Sequence, residues 1–102
     1  MCRIRIELNK DKISREAIYP YDKMVSSLDT ICKDTNFIKA GPGEYSLDKD
    51  ADSIGSLLVL ISRFESQSWL IPNIRTWTVI NDDGIEEDAL KTYMMVRNAG
   101  IA

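Results

Sequence analysis

The residue types that could perform chemistry in this chain are present only in fragments. Asp48-Lys49-Asp50-Ala51-Asp52 matches the first five positions of an EF-hand calcium loop, where alternating side-chain oxygens converge on the ion. Ser53 then stands where that loop needs glycine for its sharp turn, and Val59 where it needs a bidentate glutamate, so the segment reads as a solvated loop that caps the next helix. Ser46-Leu47-Asp48-Lys49 has the Ser-x-x-Lys spacing of nucleophile and base in penicillin-recognising enzymes, a short pattern that recurs by chance and needs a second domain to complete its site. Gly41-Pro42-Gly43 has the glycines of a phosphate cradle. It lacks the Gly-Lys-Ser/Thr ending, and its proline removes a backbone donor, so a turn between strands explains it. The chain contains no histidine, hence no activator for its serine or cysteine nucleophiles and no neutral-pH proton carrier. No catalytic residue, cofactor or metal ligand is assigned on this basis.

What remains is a surface chemistry of charge and aromatics. Asp82, Asp83, Glu86, Glu87 and Asp88 are five acids within seven positions, a local field that repels phosphate and attracts a basic partner. Their structural reading is the first turn of a helix, where the macrodipole favours carboxylates. A paired-carboxylate site drawn from Asp82, Asp83, Glu86 and Glu87 is a third reading. Trp69 and Trp77 are the residue type that anchors interfaces, although most tryptophans of small domains are core. Trp77 shares a strand face with Arg75 and Val79, opposite Ile74, Thr76, Thr78 and Ile80, so periodicity leaves its buried side open. On the face of Arg3 and Arg5 it would complete a platform for stacking single-stranded RNA bases, without the Gly-Phe-Gly/Ala-Phe run of RNA-recognition strands.

The elements that must position these residues follow from periodicity. Residues 2–8 alternate, with Cys2, Ile4, Ile6 and Leu8 on one face and Arg3, Arg5 and Glu7 on the other, which predicts a strand buried on one side. Asn9 to Lys12 reads as a polar break, and Ile13 to Ile18 as a short connector in which Ser14-Arg15-Glu16 begins a turn of helix. Pro20 suits a first helical position, and Tyr21, Met24, Val25, Leu28, Ile31 and Cys32 form a helical stripe with Asp29 and Lys33 as a favourable pair on the wet side. Phe37 and Ile38 lead into the glycine turn, and Glu44 to Leu47 is a short strand. Ile54, Leu57, Leu58, Ile61 and Phe64 have helical spacing behind an Asp52 or Ser53 cap, with a buried strand over 53–64 as the alternative. Residues 65–73 read as a loop whose Trp69, Leu70 and Ile71 need cover, 74–80 as the third strand, Asn81 to Gly84 as a turn, and 85–98 as a helix with Lys91 and Arg97 toward its end and Gly100 beyond.

The fold expected is therefore a single α+β domain over residues 1–102, with a mixed or antiparallel sheet of three or more strands and about three helices mainly on one face. The 102 residues suffice for one core. The longest apolar run, Leu57 to Ile61, is far short of the roughly 20 residues that span a bilayer, and the chain opens directly into a strand pattern, so neither a membrane segment nor a signal peptide is expected. Cys2 and Cys32, in no Cys-x-x-Cys spacing, fit reduced thiols in a cytoplasmic core, with a single disulfide as the alternative. The net charge of −3 arises wholly in the second half: residues 1–51 carry nine basic and nine acidic residues, residues 52–102 four and seven. No basic stripe is present for direct nucleic-acid binding.

In size and charge, with the acidic run Asp82, Asp83, Glu86, Glu87 and Asp88, the candidate anchors Trp69 and Trp77 and the charged-face strand Arg3 to Glu7, the chain resembles the immunity proteins of bacterial contact-dependent growth-inhibition systems. The resemblance implies a tight one-to-one complex with a cognate basic toxin domain, such as a nuclease, in the bacterial cytoplasm, and no catalysis by this chain. Two further readings stand beside it. One is a homodimeric small-molecule-binding or enzymatic domain with its ligand near Gly41 to Glu44. The other is the RNA-binding sheet.

Overall fold

The alternation of Cys2, Ile4, Ile6 and Leu8 with Arg3, Arg5 and Glu7 gives strand β1 (Arg3–Leu8) one apolar and one charged face, and the chain places it at the centre of a sheet. The computed structural model describes residues 2–101, of which residues 97–101 are described by backbone alone. Five strands are ordered β2-β3-β1-β4-β5, with β2 at Phe37–Gly41, β3 at Glu44–Leu47, β4 at Ile74–Ile80 and β5 at Glu86–Asp88. Every neighbouring pair is antiparallel.

Helices α2 (Tyr21–Asp34), α3 (Ser53–Ser66) and α4 (Ala89–Ile101) pack on the face of Ile4 and Ile6, and the short α1 (Lys10–Glu16) adds Ile13 to the same core. The opposite face is open. Arg5 lies 3.8 Å from Glu44 and 3.5 Å from Glu86, and Arg75 lies 3.7 Å from Glu7. These pairs are half exposed, so each contributes at most about 1 kcal/mol; their main consequence is to keep that face wet.

Local chemistry sets the boundaries. The stretch expected as a polar break is the cap and first turn of α1: Asn9 Oδ1 accepts the Lys12 amide at 3.1 Å, and the Lys12 ammonium donates to the Pro72 carbonyl at 2.7 Å. Pro20 is the residue before α2 rather than its first. Thr35 closes that helix, its hydroxyl donating to the Ile31 and Cys32 carbonyls. Asp29, spaced to pair with Lys33, instead accepts from Lys39 at 2.9 Å and from the buried Tyr45 hydroxyl, tying α2 to the β2–β3 hairpin. Residues 37–41 are a strand in their own right, which makes 74–80 the fourth strand. Gly43 turns the hairpin at φ +70°, and a Cβ there would collide with the Ile6 carbonyl oxygen.

Residues 53–66 are helix, not strand. Asp52 Oδ2 accepts the Gly55 amide at 2.7 Å, the cap that the sequence suggests. The face it buries differs from the expected stripe. Ser56, Leu60 and Phe64 point into the core and Leu57 and Ile61 are half buried, while Ile54 and Leu58 stay 71% and 63% exposed. The helix therefore carries more apolar surface than the core uses.

The C-terminal region departs furthest from expectation. Asn81 Oδ1 accepts the amides of Asp83 and Ile85, both at 2.9 Å, and Gly84 sits at φ +81°, so the chain turns back as a hairpin. Glu86, Glu87 and Asp88 form the edge strand β5 instead of a first helical turn. Helix α4 begins at Ala89, four residues later than the pattern places it, with Asp88 Oδ1 accepting the Lys91 amide at 3.0 Å. It continues to Ile101 rather than stopping before Gly100, and the Arg97 side chain lies outside the described residues.

Candidate partner-binding site

The five acids occupy one corner of the molecule, at the free edge of the sheet. Asp82 and Asp83 lie in the β4–β5 turn and Glu86, Glu87 and Asp88 along β5, all of them exposed. The pleat divides the strand residues. Glu86 and Asp88 stand opposite Ile80 and Thr78 on the open face, where Glu86 faces Arg5, whereas Glu87 stands opposite Val79 on the helix side. There Thr92 donates its hydroxyl to Glu87 Oε1 at 3.1 Å.

Glu87 thereby becomes a wall of a cavity of about 250 Å³ between α3 and α4. Leu57 and Ile61 from α3, Tyr93 and Val96 from α4, and Trp77 and Val79 beneath make it otherwise almost wholly apolar. On the far side of α4 lies a larger opening of about 680 Å³, bordered by Phe64, Ile71, Ile74, Leu90, Tyr93 and Met94 among others. Helix α4 rests between the two, and none of its described side chains is fully buried. Met94, Met95 and Val96 are exposed apolar residues on it.

The two tryptophans part company. Trp77 is 1% exposed, packed at a tilt against Phe64 at 5.2 Å and Tyr93 at 6.4 Å between ring centres, with no hydrogen-bond partner for its indole nitrogen among the described residues. As a surface anchor it is corrected to a core residue that floors the cavity. It also lies across the ladder from Ile6, on the opposite face to Arg3 and Arg5, which removes the aromatic from the expected RNA platform. Trp69 is half buried, donates to Gln67 Oε1 at 3.2 Å and packs against Tyr19 at 6.4 Å. It precedes β4 while the acids follow it, so a strand of about 20 Å separates them.

The remaining chemical candidates find structural employment. Asp48 Oδ1 accepts the Asp50 amide and Asp52 caps α3, and no cluster of three or more metal-ligating side chains occurs among the described residues. Ser46 lies in β3 opposite Arg3, not at a helix start. Cys2 and Cys32 are both free and buried. Burial, with Asp29 adding to it, pushes the Cys32 thiol up to about 12, and burial together with Asp82 raises that of Cys2. Thiols so protonated are poor nucleophiles.

A cavity of about 290 Å³ does occur beside Gly43 and Glu44, where the alternative reading puts a small-molecule ligand. Its cations are already engaged, Lys39 with Asp29 and Arg5 with Glu44 and Glu86. Of the residues that line the α3–α4 cavity, Trp77 and Glu87 stand out in the sequence and the aliphatic ones do not. The other signal is an apolar surplus, Ile54 and Leu58 beyond the needs of α3 and Met94-Met95-Val96 on α4, of which only Val96 lines the cavity. The chain matches no protein-family model, and no curated protein matches it.

Proposed function

We propose that this chain is a small acidic binding protein of the immunity or inhibitor type, which neutralises a cognate basic toxin domain by direct association in the cytoplasm and catalyses nothing itself. One observation carries the reading: the acids Asp82 to Asp88 line an exposed sheet edge and, through Glu87, adjoin exposed apolar surface on α3 and α4. An apolar centre with a charged margin is the usual anatomy of a protein interface. A single-sign edge steers an oppositely charged partner and disfavours pairing of this edge with a second copy of itself. No helix among the described residues is long and apolar enough to cross a membrane.

The test is to recover a tagged copy from its native cell at low and high salt and identify what accompanies it. One stoichiometric basic protein, toxic when this chain is absent, is the expected result. Recovery of the chain alone, or only with itself, overturns the reading in favour of a ligand-binding domain.

A further inference from the structure

We propose that the cavity between α3 and α4 receives one large apolar side chain of a basic protein partner, with an adjacent Lys or Arg of that partner pairing with Glu87. The inference rests on the binding reading above and fixes where and how the partner is held. At about 250 Å³ the cavity lies just below the ~300 Å³ at which pockets for drug-sized ligands begin, and suits a single side chain. Among the described residues, Glu87 is the only charged one that lines it. The Thr92 hydroxyl at 3.1 Å holds that carboxylate in place. Val96, which lines the cavity, is itself exposed, and Ile54 and Leu58 leave further apolar surface exposed on α3. The cavity beside Gly43 offers no such complementarity, since its basic and acidic groups already face one another.

The test is an NMR titration of the full chain, labelled with ¹⁵N, at low salt with three capped peptides: Lys-Lys-Trp-Lys-Lys, its analogue with alanine in place of tryptophan, and its analogue with glutamate in place of every lysine. The first should saturably shift the Trp77 indole N–H and the amides of Leu57, Ile61 and Thr92, and the other two should bind at least about tenfold more weakly. Glu87→Gln, at an exposed position, should weaken the first peptide several-fold with the rest of the spectrum unchanged. Ala89→Leu, which fills the cavity, should abolish those shifts. Equal binding of the tryptophan and alanine peptides, with shifts confined to residues 82–88, overturns the cavity proposal and leaves the acidic edge standing. Absence of binding by both lysine peptides overturns both.

Discussion

Trp77 stands directly across the β1–β4 ladder from Ile6, on the face that carries the helices, and the pair forms the middle of the core. An indole at 1% exposure has its whole apolar surface removed from water, and truncation leaves a cavity that Phe64 cannot close alone. Trp77→Ala should cost about 3–5 kcal/mol, a large share of the roughly 5–15 kcal/mol that holds such a domain together. Urea unfolding read by circular dichroism measures it, and a loss below about 1 kcal/mol would show that the ring is not packed as described.

The same pair shows what the sequence discloses and what it withholds. β1 is legible because one face meets the core and the other meets water, which prints the burial pattern directly on the chain. β4 is not, because Glu7 opposes Thr76 while Leu8 opposes Ile74, so Arg75 is an extra residue at a bulge and the alternation slips there. Ile74 and Trp77, an odd number of positions apart, thus share the core face. In α3 the Asp52 cap identifies the helix, but its excess of apolar residues hides which stripe is buried. The acidic strand passes for a helix start because carboxylates are favoured in a helix's first turn and depleted in strands. Asp83-Gly84 after a β-branched run is the hairpin signal that outweighs it.

Two glycines at positive φ separate backbone strain from collision. Gly84, at φ +81°, has nothing within 4 Å of where a Cβ would sit, so Gly84→Ala should cost only the conformational preference, about 1 kcal/mol. Gly43, at φ +70°, would drive its Cβ into the Ile6 carbonyl oxygen, and Gly43→Ala should cost about 2 kcal/mol or more because the β2–β3 hairpin must move away from β1. Thermal or chemical denaturation of the two variants side by side checks the order. Equal losses would show that the hairpin does not approach β1 so closely.

Stability should fall in alkali, and the sign follows from burial. Cys32 is raised from 9.0 to about 12 by burial with Asp29 adding to it, and burial together with the bond to Asp29 also raises Tyr45. Both are neutral acids that the fold protects, so the folded chain binds more protons than the unfolded chain above pH 9 and unfolding becomes easier as pH rises. For Cys32 alone the loss between about pH 8 and pH 11 should be on the order of 2–3 kcal/mol. Cys32→Ala should remove that part of the pH dependence while Tyr45 retains the rest. Denaturant midpoints across this range measure it, and a flat profile would contradict the protected thiol.

Charge reversal tests the acidic edge together with Glu87 at the cavity wall. Asp82, Asp83, Glu86 and Glu87 are exposed at the sheet margin, so Asp82→Lys, Asp83→Lys, Glu86→Lys and Glu87→Lys together should leave the fold nearly intact while inverting the local field. Breaking the Glu86–Arg5 pair and the Thr92–Glu87 hydrogen bond costs little, because both are exposed. Long-range attraction acts on encounter more than on the bound state, so association with the proposed basic partner should slow by about tenfold or more at low salt, while loss of the Glu87 contact at the cavity also speeds dissociation. Raising ionic strength should bring the native and reversed chains together, since the Debye length shrinks to about 8 Å near 0.15 M and screens exposed charges. Stopped-flow association across a salt series reads this directly. A native chain whose association rate is insensitive to salt would remove steering by Asp82 to Asp88 from the account, and the partner would have to be held by the apolar surface of α3 and α4 alone.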